Sequence, residues 1–187
     1  YVTKPKNRVT RFVATGDVVA SPEQVLLDLP NLSVADNHNG GALKFGADGK
    51  LYVGVGDNNN GLLAQDLTQP FGKVLRLNDD GTAAPGNPFA NRPGWGPFIW
   101  AYGLRNPYTM AIQPGTGRLH INDVGQETWE EIDLGVPGAD YGWPASEGPA
   151  NVGAGVTGPI FAYGHAPQGS PGTAPGSPLP RTVRARP

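Results

Sequence analysis

Cysteine is absent from this chain of 187 residues, which excludes disulfides and thiolate metal sites and leaves the redox compartment open. Methionine occurs once, at Met110, and the chain opens on Tyr1-Val2, so a processed product or an internal fragment is expected. No apolar run approaches the ~18 residues a spanning helix needs, and no charged-then-apolar leader precedes the first polar stretch. Sustained helical periodicity is missing too. Only Pro22-Glu23-Gln24-Val25 and Glu127-Thr128-Trp129-Glu130-Glu131 could begin a helical turn. The formal net charge is -2, so no basic field exists to gather phosphate backbones, and nucleic acid is not expected as a partner.

What is plentiful is turn-forming residue: 28 Gly and 20 Pro leave little room for helices and point to an all-β fold. Strand-like runs lie at 7–15, 24–29, 73–78, 98–102, 131–134 and 160–163, and a polar loop over 58–71 is expected to run across the surface. Between Leu43 and Val55, apolar residues flank the Asp48-Gly49 turn as a β-hairpin would. The same pattern returns from Thr109 to Gly125, with Leu43 matching Met110, Phe45 matching Ile112, Gly49 matching Gly117, Leu51 matching Leu119 and Val53 matching Ile121. A hairpin that recurs after several tens of residues, with further strands between, fits radial repetition of small antiparallel sheets, a β-propeller. Residues 1–165 then hold about two full blades and parts of others, whereas a closed ring takes at least ~four. From Ala166 to Pro187, Pro, Gly, Ser and Ala dominate, and this tail is expected to be disordered.

Four clusters fall at strand ends or loops, where a propeller gathers its chemistry. His38 and Asp57 stand at the two ends of the first hairpin, so they share a rim. A histidine can take a proton from a hydroxyl, and a carboxylate within reach would fix its tautomer. Spacing alone favours the plainer reading, in which His38 caps a turn and Asp57 accepts bonds from the Asn-rich loop. Arg105-Asn106-Pro107 sets a permanent cation beside an amide, able to hydrogen-bond a planar, electron-poor oxygen acceptor or to serve as an inter-blade bracket. In Asp123-Val124-Gly125-Gln126-Glu127 a glycine-bearing loop could turn carbonyls toward a hard cation such as Ca²⁺. Asp57-Asn58-Asn59-Asn60-Gly61 lacks the spacing and the closing Glu of a calcium loop and reads as a turn. In Pro137-Gly138-Ala139-Asp140-Tyr141-Gly142-Trp143-Pro144 the aromatics are accounted for by packing.

Taken in order, these segments resemble the glucose/sorbosone dehydrogenase family, the soluble quinoprotein sugar dehydrogenases. The matching run is His38 with its Gly40-Gly41, Phe45-Gly46-x-Asp48-Gly49-Lys50-Leu51-Tyr52, Gly56-Asp57, Gly72-Lys73-Val74-Leu75-Arg76-Leu77, Asp80-Gly81, Asn87-Pro88-Phe89, Tyr102-Gly103-Leu104-Arg105-Asn106-Pro107 and residues 138–144. The resemblance implies a six-bladed propeller that holds pyrroloquinoline quinone (PQQ) with Ca²⁺. It also implies oxidation of a sugar C1 hydroxyl or aldehyde hydrate, an external electron acceptor, and a periplasmic or extracellular location. By the same resemblance His38 is the general base that removes the hydroxyl proton while hydride passes to the quinone, Asp57 supports it, and Arg105 and Asn106 contact the quinone oxygens. Gly125 and Gln126 match positions whose carbonyls bind the cofactor's calcium, and Glu131 and Tyr141 match ligands of a second, structural calcium region.

Two departures shape the expectation. Asn37 stands where glucose-oxidising members carry an acid, and Gln126 stands where they carry proline, so the chain is closer to the aldose or sorbosone branch. Further cofactor contacts of the family lie outside the matching residues, so the isolated chain is expected to bind the quinone poorly. The competing reading is a non-catalytic interaction propeller whose aromatic loops bind a protein or glycan. A calcium-dependent lactonase-type propeller would need an acidic cluster that the sequence does not display.

Overall fold

Alternation is the local cause of the architecture, because side chains two apart share one face of a strand. The computed structural model describes residues 2–3, 5–149 and 153–165, and the expectation for the tail at 166–187 lies outside them. Thirteen strands are present among the described residues, interrupted only by two short 3-10 turns at Gly61–Ala64 and Gly96–Phe98. A first sheet pairs β1 (Val2–Thr3), β2 (Lys6–Arg11) and β5 (Gln24–Asn31) in that order, and β3 (Ala14–Thr15) and β4 (Val18–Val19) form a separate small hairpin. The run expected as one strand over 7–15 is therefore broken at Phe12-Val13. Both residues are exposed, so the apolar alternation there has no core face to hold it in the sheet.

Two four-stranded antiparallel meanders follow. The first contains β6 (Leu43–Phe45), β7 (Leu51–Val55), β8 (Lys73–Leu77) and β9 (Ile99–Tyr102). The second contains β10 (Pro107–Ile112), β11 (Leu119–Asp123), β12 (Trp129–Leu134) and β13 (Phe161–Gly164). The expected repeat is visible in the pairing itself: Leu43 opposes Val53 and Phe45 opposes Leu51 in the first, while Met110 opposes Ile121 and Ile112 opposes Leu119 in the second. Both turns are also tightened alike, since Lys50 N donates to Asp48 Oδ1 and Arg118 N to Thr116 Oγ1. Neither segment that could have begun a helical turn does so: residues 24–25 belong to β5 and 129–131 to β12.

Apart from its exposed first strand β6, the first complete blade is buried on both faces, and every residue of β7 is buried. Leu51, Val53, Val55, Leu75, Leu77 and Ile99 meet Val9, Leu27 and Leu29 of the first sheet. On the other face Tyr52, Val74 and Trp100 meet Met110, Leu119, Ile121 and Tyr141 of the second blade, with the Tyr52 and Trp100 rings edge to face at 5.1 Å. Face-to-face stacking of twisted antiparallel sheets, each following the last in sequence, is the propeller arrangement.

The 58–71 loop does not simply run over the surface. Ala64, Pro70 and Phe71 are buried, because fully buried Lys73 sends its ammonium back into the loop and donates to the carbonyls of Leu63, Ala64 and Phe71 at 2.7–2.8 Å. Burial pushes the pKa of Lys73 down to about 7, with the charges of Asp66 and Asp140 acting the other way.

Candidate active site

The loop before β6 and the loop after β7 close on each other at one end of the first complete blade. Asn58 N donates to His38 O at 3.2 Å, holding His38 in the left-handed region at φ 50°. Such a conformation costs a non-glycine residue roughly 1 kcal/mol or more, and it persists where the surroundings determine it. Gly56 makes the approach possible, since a Cβ there would stand 2.1 Å from His38 O and 2.8 Å from Asn106 Oδ1.

His38 Nδ1 lies 2.8 Å from Asp57 Oδ1. The side chain of Asp57 is 2% exposed and that of His38 10%, so the carboxylate is sealed while the imidazole can still be reached. Asp57 also accepts from Asn59 N at 2.8 Å on Oδ1 and from the indole N–H of Trp143 at 2.8 Å on Oδ2. A carboxylate in its ionised form only accepts, so this contact favours the Nδ1–H tautomer, in which the lone pair of a neutral imidazole is on Nε2. Nε2 has no protein partner among the described residues. The Asn-rich segment is turn chemistry: Asn58 and Asn59 both have positive φ, and Asn60 N donates to Asp57 O.

Arg105 and Asn106 arrive from the link between β9 and β10. Their backbone amides donate to the two oxygens of Asp123, at 2.8 Å and 2.6 Å, and Asn106 Oδ1 accepts from Gly40 N at 2.9 Å. The chain that carries His38 is thus bonded directly to the Arg-Asn link. The Arg105 guanidinium donates through Nη1 to the carbonyls of Val124 (2.9 Å) and Gly125 (2.7 Å), and it lies over the Trp143 ring at 5.5 Å. Its Nε is buried and has no acceptor among the described residues. A buried, unpaired cationic donor is costly unless a ligand oxygen meets it, so the donor set fits an oxygen-bearing planar acceptor such as the quinone.

The Gly125-Gln126 loop is shaped from behind. Glu147 Oε1 accepts from the backbone amides of Gln126, Glu127, Thr128 and Trp129 at 2.8–3.3 Å. Burial raises the Glu147 pKa, and these four amide donors outweigh it, so the carboxyl sits below its ordinary value. In a planar trans peptide the C=O points opposite to the N–H, so with the amides of 126 and 127 turned to Glu147, the carbonyls of Gly125 and Gln126 face away from it. Gly125 is required here, for a Cβ would meet Trp129 O at 1.6 Å. Hard carbonyl oxygens of this kind suit Ca²⁺, and at Gly125 the ion would displace the bond that its carbonyl accepts from Arg105 Nη1 at 2.7 Å. No three acidic or histidine side chains among the described residues form a metal cluster.

Glu131 and Tyr141 hydrogen-bond to none of His38, Asp57 and Arg105, but Glu131 stands beside the Asp123 carboxylate that holds the Arg105-Asn106 link. Glu131 sits opposite Asp123 in the β11–β12 pair and accepts from Gly148 N. The Tyr141 hydroxyl donates to Leu134 O at 2.8 Å and accepts from Val136 N. Asp123, Glu131 and Asp133 share one face of the sheet, an acidic row that the linear sequence hides. Burial pushes Asp123 up to about 7 and Asp133 up to about 9, and it raises Glu131, with the neighbouring carboxylates adding to the shift.

Sequence reasoning placed Asp123 in a cation-loop candidate and Trp143 in a segment explained by packing, without the contacts the structure gives them, and it did not single out Glu147. Only their placement after folding marks them, and Trp143 lies 86 residues from Asp57.

A blade end that gathers a histidine–carboxylate pair, a guanidinium and a glycine-bearing carbonyl loop, on stacked antiparallel meanders, belongs to a β-propeller. The family model for glucose/sorbosone dehydrogenase matches residues 3–169, and the chain belongs to that family. It is 36% identical to the aldose sugar dehydrogenase YliI of Escherichia coli, over 76% of this chain and 42% of that protein. It is 33% identical to quinoprotein glucose dehydrogenase B of Acinetobacter calcoaceticus, over 68% of this chain and 30% of that protein. The PQQ-bound aldose sugar dehydrogenase of Streptomyces coelicolor superposes with a TM-score of 0.77 at 32% identity, covering 88% of this chain and 48% of that one. The chain therefore spans half or less of the length of these relatives.

Proposed function

We propose that this chain carries the proton-accepting half of a PQQ-dependent sugar dehydrogenase that oxidises the C1 hydroxyl of an aldose, or an aldehyde hydrate. The observation that carries the reading is the His38–Asp57 pair with Nε2 open, bonded through Gly40 and Asn106 to an Arg105 whose Nε has no acceptor among the described residues. His38 Nε2 takes the proton of the substrate hydroxyl, and Asp57, already accepting from Nδ1, stabilises the imidazolium that forms. Arg105 and Asn106 would hold the quinone through its oxygens, and Gly125 and Gln126 would hold Ca²⁺ through theirs. The bound quinone supplies the two-electron acceptor for the substrate's hydride, and an external electron acceptor completes turnover. For a second calcium region, Tyr141 offers a peptide carbonyl and Glu131 its other carboxylate oxygen. A sugar substrate of the aldose or sorbosone type agrees with Asn37 and Gln126, and a periplasmic or extracellular location agrees with the family's chemistry.

The test is dye reduction by the intact protein reconstituted with PQQ and Ca²⁺ across a panel of aldoses. His38→Ala should lower kcat by about 10²-fold or more with quinone binding retained. Normal turnover in that variant would end the proposal. Failure of a wild-type form of the relatives' full length to reduce dye with any sugar would favour the interaction-propeller reading, whereas sugar-dependent dye reduction by this chain alone would refute the expectation that it binds the quinone poorly.

A further inference from the structure

Trp143 occupies a place that the proton-transfer chemistry leaves unexplained. It belongs to the segment that follows β12 yet reaches back to the rim of the preceding blade. Its backbone is tied at both ends, with Trp143 N donating to Gly103 O at 2.9 Å and Trp143 O accepting from Gln65 Nε2 at 2.9 Å. From that fixed position the indole N–H donates to Asp57 Oδ2 at 2.8 Å, while the ring lies 5.5 Å from the Arg105 guanidinium carbon. One side chain thus touches both the carboxylate that orients the base and the cation that faces the acceptor.

We propose that Trp143 is a positioning residue that gears the His38–Asp57 pair to the Arg105 guanidinium, so that base and acceptor-binding cation keep one mutual geometry. The proposal rests on the reading of the site as a sugar-oxidising one. Its physical basis is simple. Asp57 Oδ1 is already shared by His38 and Asn59, so without a donor on Oδ2 the buried carboxylate can rotate and take the imidazole with it. Arg105 is pinned by carbonyls only through Nη1, and the indole face restrains the rest of the guanidinium plane.

Two substitutions separate the contacts. Trp143→Phe deletes the N–H and keeps a ring beneath Arg105, whereas Trp143→Leu deletes both. In the intact protein, W143F should shift the imidazole ¹⁵N resonances of His38 and leave the Arg105 Nε–H signal in place. W143L should move both. Kinetically, W143F should lower kcat on the order of tenfold, as loss of one hydrogen bond to a charged group implies, with KM for sugar within about twofold. A third measurement changes the acceptor instead: of the four tryptophan indole N–H signals, the one absent in W143F should move upfield in Asp57→Ala.

Unchanged His38 and Arg105 resonances in W143L would overturn the proposal, as would an indole signal indifferent to Asp57→Ala. Resonance shifts as expected in a protein that oxidises no sugar would instead refute the catalytic reading and leave the mechanical tie standing.

Discussion

At position 57 one carboxylate serves three donors drawn from three parts of the chain: the His38 loop, its own turn at Asn59, and Trp143. The first partner is legible from sequence, because a hairpin brings its two ends together whatever the rest of the molecule does. The third is not, because no local rule relates residues on successive blades. Backbone space at the site is equally tight. In Gly56→Ala the new methyl would fall 2.1 Å from His38 O, a contact with main chain that cannot be relieved by a rotamer change. The expected cost is about 1–3 kcal/mol of stability, read as a lower urea midpoint. Activity in the reconstituted protein should fall further than stability does, since the displaced group is the backbone of the proposed base.

At the scale of elements, the repeat of the Leu43 hairpin at Met110 was readable because turn chemistry and alternation are local properties, and the observed registers agree residue for residue. The break at Phe12-Val13 and the inward turn of the 58–71 loop were not, because each depends on what lies opposite. For the loop that partner is the Lys73 ammonium. The Gly125–Trp129 loop is a similar case: its shape comes from four amides gathered on Glu147 Oε1. Glu147→Gln keeps an oxygen there and removes the charge, so these bonds should weaken by about 1–2 kcal/mol in total. Hydrogen exchange should then accelerate at the amides of residues 126–129 and stay unchanged in β7 and β8. Unaltered exchange at 126–129 would mean that the loop holds its shape without the carboxylate.

At the scale of the whole molecule, a blade buried on both faces makes its interior cation a term in the stability of the entire fold. Lys73 in the folded chain gives up its proton near pH 7, against an ordinary 10.5. Between those values the unfolded chain binds the proton and the folded chain does not, so stability should rise with pH across that window. Lys73→Met should lack this rise, because it removes the titrating group while leaving the carbonyls of Leu63, Ala64 and Phe71 without their donor at either pH. Urea titrations of both proteins at pH 7 and pH 9.5 measure the difference, and parallel pH profiles would contradict it. The amino-acid sequence by itself determined the class of fold, the repeating hairpin, the His38–Asp57 rim and the Arg105-Asn106 link, since each follows from contacts within a few residues or one turn. Only the tertiary structure decided that Trp143, Asp123 and Glu147 stand behind them, because stacking one twisted sheet on the next joins groups whose separation along the chain carries no local signal.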